Sequence, residues 1–196
     1  MPRTTDLNKV SVTTRIKKIA VKLLISRCDM GADRGEILLK DMLRYSCSQI
    51  EDTFLRYPEF RNIFYYRAGE QGAACKILRF FFPGHSSLYI NTPSIGPGLF
   101  IQHGFSTIIS AKCIGKNCWI NQQVTIGYTN ALDCPTIGDD VTINAGAIII
   151  GNVHIGNGAK VGAGSVVVKS VPANCTVAGN PAYIIRKNGI RVKEPL

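Results

Sequence analysis

The stretch TIGDDVTINAGAIIIGNVHIGNGAKVGAGSVV, residues 136–167, places an aliphatic residue at every sixth position: Ile137, Ile143, Ile149, Ile155, Val161 and Val167. Upstream the same beat runs through Ile126, Ile120, Ile114 and Ile108, and Ile101 with Ile95 starts it. The position two residues earlier is small or β-branched, as at Cys118, Val124, Val141, Ala147, Val153, Ala159 and Ser165. Gly often follows the beat, as at Gly96, Gly115, Gly127, Gly138, Gly156 and Gly162. A period of six matches neither a helix, at about 3.6, nor a flat strand, at two. It matches a coil of short strands joined by tight turns, each strand giving one aliphatic to a shared interior. Three such strands per turn give roughly four coils over residues 88–172.

The region before the coil reads as helical. Ile16, Ile19, Ala20, Leu23 and Leu24 form one stripe, opposite Arg15, Lys18, Lys22 and Ser26. Asp33 with Glu36 has the spacing of a capping box opening a second helix, with Ile37, Leu38, Met42 and Leu43 inward. A third helix runs from about Glu59 to Arg67, with Phe60, Ile63 and Phe64 inward, and a fourth buries Ala74, Ile77, Leu78 and Phe81. The chain thus divides into a helical region at 1–87 and a coil with its tail at 88–196. Pro172, Pro181 and Ile184-Ile185 suggest a strand folding back to cover the far end. The first helix is basic and amphipathic. It is read as packing on neighbouring helices or subunits, with a membrane surface as the alternative.

Composition narrows the partners. The net charge is +10, but more than half of the 23 Lys and Arg precede the coil and no aromatic-interleaved basic stripe occurs. Nucleic acid is therefore not expected; a basic surface suits anionic small ligands instead. Seven Cys, an odd number without paired spacing, argue for a reducing, cytoplasmic compartment. No His-Cys cluster suggests a metal. Lys22 interrupts the apolar run after Lys17-Lys18, so neither a signal peptide nor stable membrane insertion is expected.

Two breaks in the beat mark the candidate chemistry, since repeat arrays take insertions on loops. Ile101 to Ile108 spans seven residues, with the excess in Gln102-His103-Gly104-Phe105. Ile126 to Ile137 spans eleven and leaves a protruding loop, Tyr128 to Pro135. An imidazole can take a proton from a hydroxyl near neutral pH, so His103 is a general-base candidate. A structural corner residue is the alternative. His154 lies in a regular repeat and reads as a surface residue, and His85 as a loop residue.

The ordered runs IGPGLFIQHG, IGKNCWINQQVTIG, GAGSVVVKSVP and AGNPAYII resemble the catalytic domain of serine O-acetyltransferases, within the hexapeptide-repeat acyltransferases. YPEFRNIFYYRAG at 57–69 also resembles that family's helical segment. The resemblance implies a mainly β fold, a left-handed parallel β-helix preceded by a small α-helical region. It implies an acetyl-CoA-dependent acyltransferase, with homotrimers (higher assembly left open) and active sites in the clefts between coils. His103 falls on the family's catalytic His. Gly127, Ala145, Gly146 and Ala163 would line the CoA channel, with Lys169 and Arg186 nearest its phosphates.

The departures concern the acceptor. Gln102 stands where the family has Asp, and Arg56-Tyr57-Pro58-Glu59 where it has Arg-Asp-Pro-Ala. Cys134 replaces a second His, and the family's imidazole-orienting Asp maps near Leu88. Asp133 or Glu59 are the candidates to replace the lost carboxylate. Serine O-acetylation, as in cysteine biosynthesis, is the leading reading. O-acetylation of a sugar in surface polysaccharide synthesis is the second, and a non-catalytic β-helix assembly module the third.

Overall fold

The computed structural model describes residues 12–28, 30–69 and 72–196. Five helices come first: α1 (Val12–Ile25), α2 (Gly31–Leu43), α3 (Ile50–Arg56), α4 (Pro58–Ala68) and α5 (Ala73–Phe81). The coil follows in five turns rather than four. Its strands are β1 (Leu88–Ile90) and β2 (Phe100–Ile101); β3 (Thr107–Ile109), β4 (Cys113–Ile114) and β5 (Trp119–Ile120); then β6 (Thr125–Gly127), β7 (Thr136–Ile137) and β8 (Thr142–Ile143). The last turns hold β9 (Ile148–Ile150), β10 (His154–Ile155) and β11 (Lys160–Val161), then β12 (Val166–Val167) and β13 (Cys175–Ala178). Single bridges at Ile95 and Val171 complete the first and fifth turns.

All coil strands pair in parallel with their equivalents in neighbouring turns, giving three sheets: β1-β3-β6-β9-β12, β10-β7-β4, and the face β2-β5-β8-β11-β13. This is a parallel β-helix. The six-residue beat exists because each strand meets its equivalent one turn later, as Ile120 opposite Ile143 and Val161 opposite Val177. Inward Ile101, Ile120, Ile126, Ile143, Ile149, Ile155, Val161 and Val167 are all fully buried. The small residues two positions earlier, including Cys118, Val141, Ala147 and Ala159, are fully buried too and fill the corners. At most of these positions Gly after the beat is steric: a Cβ on Gly115 would lie 2.6 Å from the Gly138 carbonyl carbon one turn below. Left-handed backbone recurs at one corner, at Asn117, Asp140, Gly158 and Asn174, residue types that tolerate positive φ.

One step of the beat is corrected. The inward residue of β3 is Ile109, fully buried opposite Ile126, whereas Ile108 is 45% exposed. The corner holding His103 therefore spans eight residues between core positions, not seven.

The tail folds back as expected: β14 (Tyr183–Lys187) runs antiparallel to β13, and β15 (Ile190–Pro195) extends that sheet. The helices close the other end around Phe54, Phe60, Ile63, Phe64 and Leu78, all fully buried. Phe54 meets Phe64 edge to face at 5.2 Å, a favoured aromatic geometry.

Several helical expectations change. Helix α3 went unforeseen; Glu51 and Asp52 in its first turn complement the helix dipole. The Asp33–Glu36 capping box does not form, because α2 begins at Gly31 after Met30. Leu38, Asp41 and Met42 are its buried residues, while Leu43 is 61% exposed. On α1 the buried residues are Val21 and Ile25, and Ile16, Ile19 and Leu23 point outward. On α5, Cys75 and Leu78 are buried while Ile77 and Phe81 are exposed. All seven cysteines are free thiols. Buried Cys28 lies 3.1 Å from Cys75, and burial, then the Cys75 thiol, pushes Cys28 up to about 12.

Candidate active site

The corner between β2 and β3 is closed by a three-residue turn. Gly104 N–H donates to the Gln102 carbonyl at 2.9 Å, with His103 between them at φ 67°. Such a turn about a non-glycine residue is strained, by about 1–3 kcal/mol, and strain of this kind gathers at functional sites. Gly104 has φ 66°, and a Cβ there would crowd Leu88, Ile101 and Glu59 at 3.0–3.2 Å. No other residue type fits beside His103 without displacing them. The imidazole is thereby turned outward: His103 is exposed and Gln102 half-buried.

His103 and Gln102 form one wall of a cavity of about 550 Å³. The opposing wall comes from the helices: Tyr57, Glu59, Arg56, Tyr45 and Arg44, with His85 at one side. The docking of these helices is fixed by hydrogen bonds to the coil. Tyr45 Oη donates to the Ile101 carbonyl (3.0 Å) and accepts from Ile101 N–H (3.2 Å), two residues before His103. Burial pushes the Tyr45 phenol well above its ordinary value, so it remains a donor. Arg44 donates to the Asn117 carbonyl at 3.1 Å. Glu59 is 7% exposed, and its carboxylate lies 3.7 Å from His85 Nε2. The guanidinium of Arg56 stacks on Tyr57, 5.7 Å from the ring centre. Of the acceptor-site candidates, Gln102, Tyr57 and Glu59 thus share one cavity with His103.

Asp133 and Cys134 do not join them in this chain. They sit in the Tyr128–Pro135 loop, which leaves the coil after β6 at a different corner. Asp133 is occupied within that loop, accepting from Thr129 N–H (3.0 Å), Asn130 N–H (2.9 Å) and Asn130 Nδ2 (2.9 Å). Hydrogen bonding from the Thr129 hydroxyl, then from these amides, holds its carboxyl below the usual range. Asp133 is accordingly a staple of the loop, not a carboxylate free for a substrate ammonium. Asp133→Ala is expected to speed proteolytic cleavage between Tyr128 and Pro135 while leaving the melting temperature within a few degrees of the parent, since the loop adds little to the core. A variant no more cleavable than the parent would mean the staple is dispensable.

The corner that carries His103 repeats down the coil. Beneath it come Gln122-Gln123, Ala145-Gly146 and Ala163-Gly164, linked by Gly146 N–H to the Gln122 carbonyl (3.1 Å) and Gly164 N–H to the Ala145 carbonyl (2.9 Å). From His103 to Ala163 is three turns, about 14 Å at the spacing of paired strands. A Cβ on Gly164 would meet nothing within 4 Å. The last two steps therefore present backbone edge rather than side chains, a surface that a thin, extended ligand can approach. Three of the four channel candidates, Ala145, Gly146 and Ala163, lie on this edge. Gly127 does not: it ends β6, at the corner where the Tyr128 loop departs.

The two proposed phosphate partners lie elsewhere as well. Lys169 follows β12 at the other end of its face, and its ammonium donates to the Leu196 carbonyl at 2.8 Å. Arg186 is on β14, beside Lys160, Asn174 and Asn188. Among the described residues no cluster of three metal-ligating side chains occurs. His154 is exposed, as its regular repeat suggests.

Sequence reasoning missed Arg44, Tyr45 and the placement of His85. No local pattern marks them, because they reach the cavity only through the docking of helices on the coil.

Comparison with known proteins agrees with this architecture. Residues 134–169 match the family described as bacterial transferase hexapeptide (six repeats). A serine acetyltransferase of Synechococcus elongatus is 42% identical over 106 residues, covering 52% of this chain and 43% of that protein. One from Staphylococcus aureus is 45% identical over 102 residues, covering 50% and 48%. The matched stretch is thus a little under half the length of these curated relatives. Among solved structures, serine acetyltransferase from Brucella abortus aligns at TM-score 0.66 and 25% identity, over 97% of this chain and 87% of that one. The same organism's enzyme in complex with coenzyme A aligns at TM-score 0.62 and 26% identity, over 92% and 84%. The protein is therefore a hexapeptide-repeat β-helix that resembles the serine acetyltransferases in both sequence and fold.

Proposed function

We propose that the protein is an acetyl-CoA-dependent O-acetyltransferase of serine acetyltransferase type, in which His103 is the general base. The observation that carries this reading is the strained turn that holds His103 on the wall of a cavity and on the same corner as the backbone edge at Ala145-Gly146 and Ala163-Gly164. In that arrangement the pantetheine arm of acetyl-CoA lies along Ala145-Gly146 and Ala163-Gly164, with its thioester toward His103. His103 takes the proton of the acceptor hydroxyl as the oxygen attacks the thioester carbonyl; the CoA thiolate leaves and recovers the proton. Direct transfer needs both substrates held together, which the edge and the cavity supply.

L-serine is the proposed acceptor, forming O-acetylserine. Glu59 would hold its ammonium in place of the missing Asp at position 57, and Arg56 faces the same cavity for its carboxylate. Glu59→Gln removes a charge-assisted contact of about 1.5–3 kcal/mol. It is expected to raise KM for L-serine about ten- to a hundredfold and leave KM for acetyl-CoA nearly unchanged. The second reading, a sugar hydroxyl, is favoured by the aromatic lining of Tyr45, Tyr57, Phe100 and Phe105. Turnover of acetyl-CoA with a panel of sugars but not with L-serine, unaffected by Glu59→Gln, would establish that reading instead.

The homotrimer implied by the resemblance would place the Tyr128–Pro135 loop of one subunit against a neighbour's cleft. Sedimentation giving the mass of a single chain at micromolar concentration would remove the shared cleft. Seven free thiols suit the reducing cytoplasm.

A further inference from the structure

The outward faces of α1 and α5 are apolar, and no described element covers them. On α1, Val12, Ile16, Ile19 and Leu23 recur at spacings of four, three and four, which sets them on one side of the helix. Their exposures are 73, 61, 61 and 51%. Val21 and Ile25 point the opposite way and are buried. This helix is therefore apolar on two sides, and only one of them is used by the fold. Neighbouring α5, which packs on α1, repeats the pattern: Leu78 is buried, whereas Phe80 and Phe81 are 81% and 68% exposed. Two adjacent solvent-facing phenylalanines on α5 and a four-residue aliphatic stripe on neighbouring α1 exceed the scattered apolar exposure normal for a soluble surface.

The charge around these stripes has one sign. Helix α1 carries Arg15, Lys17, Lys18 and Lys22, and α5 carries Lys76 and Arg79, without an acidic residue in either. Lys18 pairs with Asp52 of α3 and Arg79 stacks on Tyr65, while Lys17, Lys22 and Lys76 are exposed. Setting two such faces against each other would bring like charges together. A surface of anionic lipid complements them, with apolar side chains at the headgroup boundary and ammonium groups at the phosphates. At 14 residues, α1 is about 21 Å long, enough to lie along a bilayer and too short to cross its core of about 30 Å.

We propose that the α1–α5 face docks the protein on an anionic membrane surface, going beyond the acetyl-transfer reading and independent of it. The full chain is expected to float with vesicles of phosphatidylcholine containing phosphatidylglycerol, and not with phosphatidylcholine alone. Ile16→Glu with Ile19→Glu, or Phe80→Glu with Phe81→Glu, should each cut the bound fraction at least about tenfold, and added salt should weaken binding. Because these side chains are exposed, circular dichroism and melting temperature should stay at parental values. Sedimentation of the same variants separates the docking face from a subunit contact. Unchanged mass with lost flotation supports the proposal. No flotation of the parent with either vesicle overturns it, and so does a variant whose sedimenting mass falls, since the face would then join copies of this chain.

Discussion

Replacing His103 with Ala is expected to lower turnover at least about a hundredfold, the low end of what a general base contributes. The affinity for acetyl-CoA should hardly change, because the edge at Ala145-Gly146 and Ala163-Gly164 lies two to three turns away. The controls are built into the chain, which has three histidines. His154 is exposed in a regular repeat on another face, so His154→Ala should leave both kcat and KM at parental values. His85 lines the same cavity but lies beside Glu59, 3.7 Å from its carboxylate. His85→Ala should act through the acceptor, raising its KM more than it lowers kcat. Steady-state kinetics of the three variants, together with coenzyme A binding by calorimetry, distinguish these roles. A His103 variant that retains near-parental turnover would return the base assignment to His85 or to another group.

The β-helix was legible because its geometry imposes the period: a strand must meet its equivalent one turn later, and only an inward aliphatic satisfies both neighbours. The legibility failed where two aliphatics are adjacent. Ile108 and Ile109 fit the beat almost equally well, and the extra length of the His103 corner decides which one turns inward. It failed on α1 and α5 for a related reason, since a helix apolar on two sides cannot say which side the fold will use. Position 103 was legible as an interruption, and the His there as a base candidate. Its turn geometry was not, because a positive φ at His leaves no trace in composition. The opposing wall of the cavity was the least legible part. Tyr45 meets Ile101 across 56 residues of chain, and no spacing within either segment encodes that contact. The same holds for Asp41 and Arg67, whose burial sequence patterning gave no reason to expect.

Breaking that pair is expected to cost about 3–5 kcal/mol, the usual penalty for leaving one member of a buried ion pair alone. The first turn of the coil has no turn above it, so its backbone groups face an open edge. Arg67 and Asp41 stand in for the missing strand. Arg67 Nη1 and Nη2 donate to the carbonyls of Ile95 (2.6 Å) and Gly96 (2.8 Å), while Leu99 N–H donates to Asp41 Oδ1 (2.8 Å). Arg67 Nε closes the pair on Asp41 Oδ2 at 2.9 Å, with the two side chains 6% and 0% exposed. Arg67→Met leaves a buried carboxylate and two carbonyls without donors. At about 2–4 °C per kcal/mol for a chain of this size, its melting temperature should fall by roughly 6–20 °C. Burial already pushes the Asp41 carboxyl above its ordinary pKa, against the pull of Arg67 and the Leu99 amide. Without Arg67 the folded-state pKa rises further above the unfolded value. The ionised form then opposes folding and the protonated form does not, so the deficit of Arg67→Met should be greatest at neutral pH and shrink on acidification. Adding Asp41→Leu removes the stranded charge, and the double variant should recover part of the loss at neutral pH without its pH dependence. Denaturant unfolding across this pH range gives both quantities. A single variant as stable as the parent at neutral pH would show that the edge of the first turn does not depend on this pair.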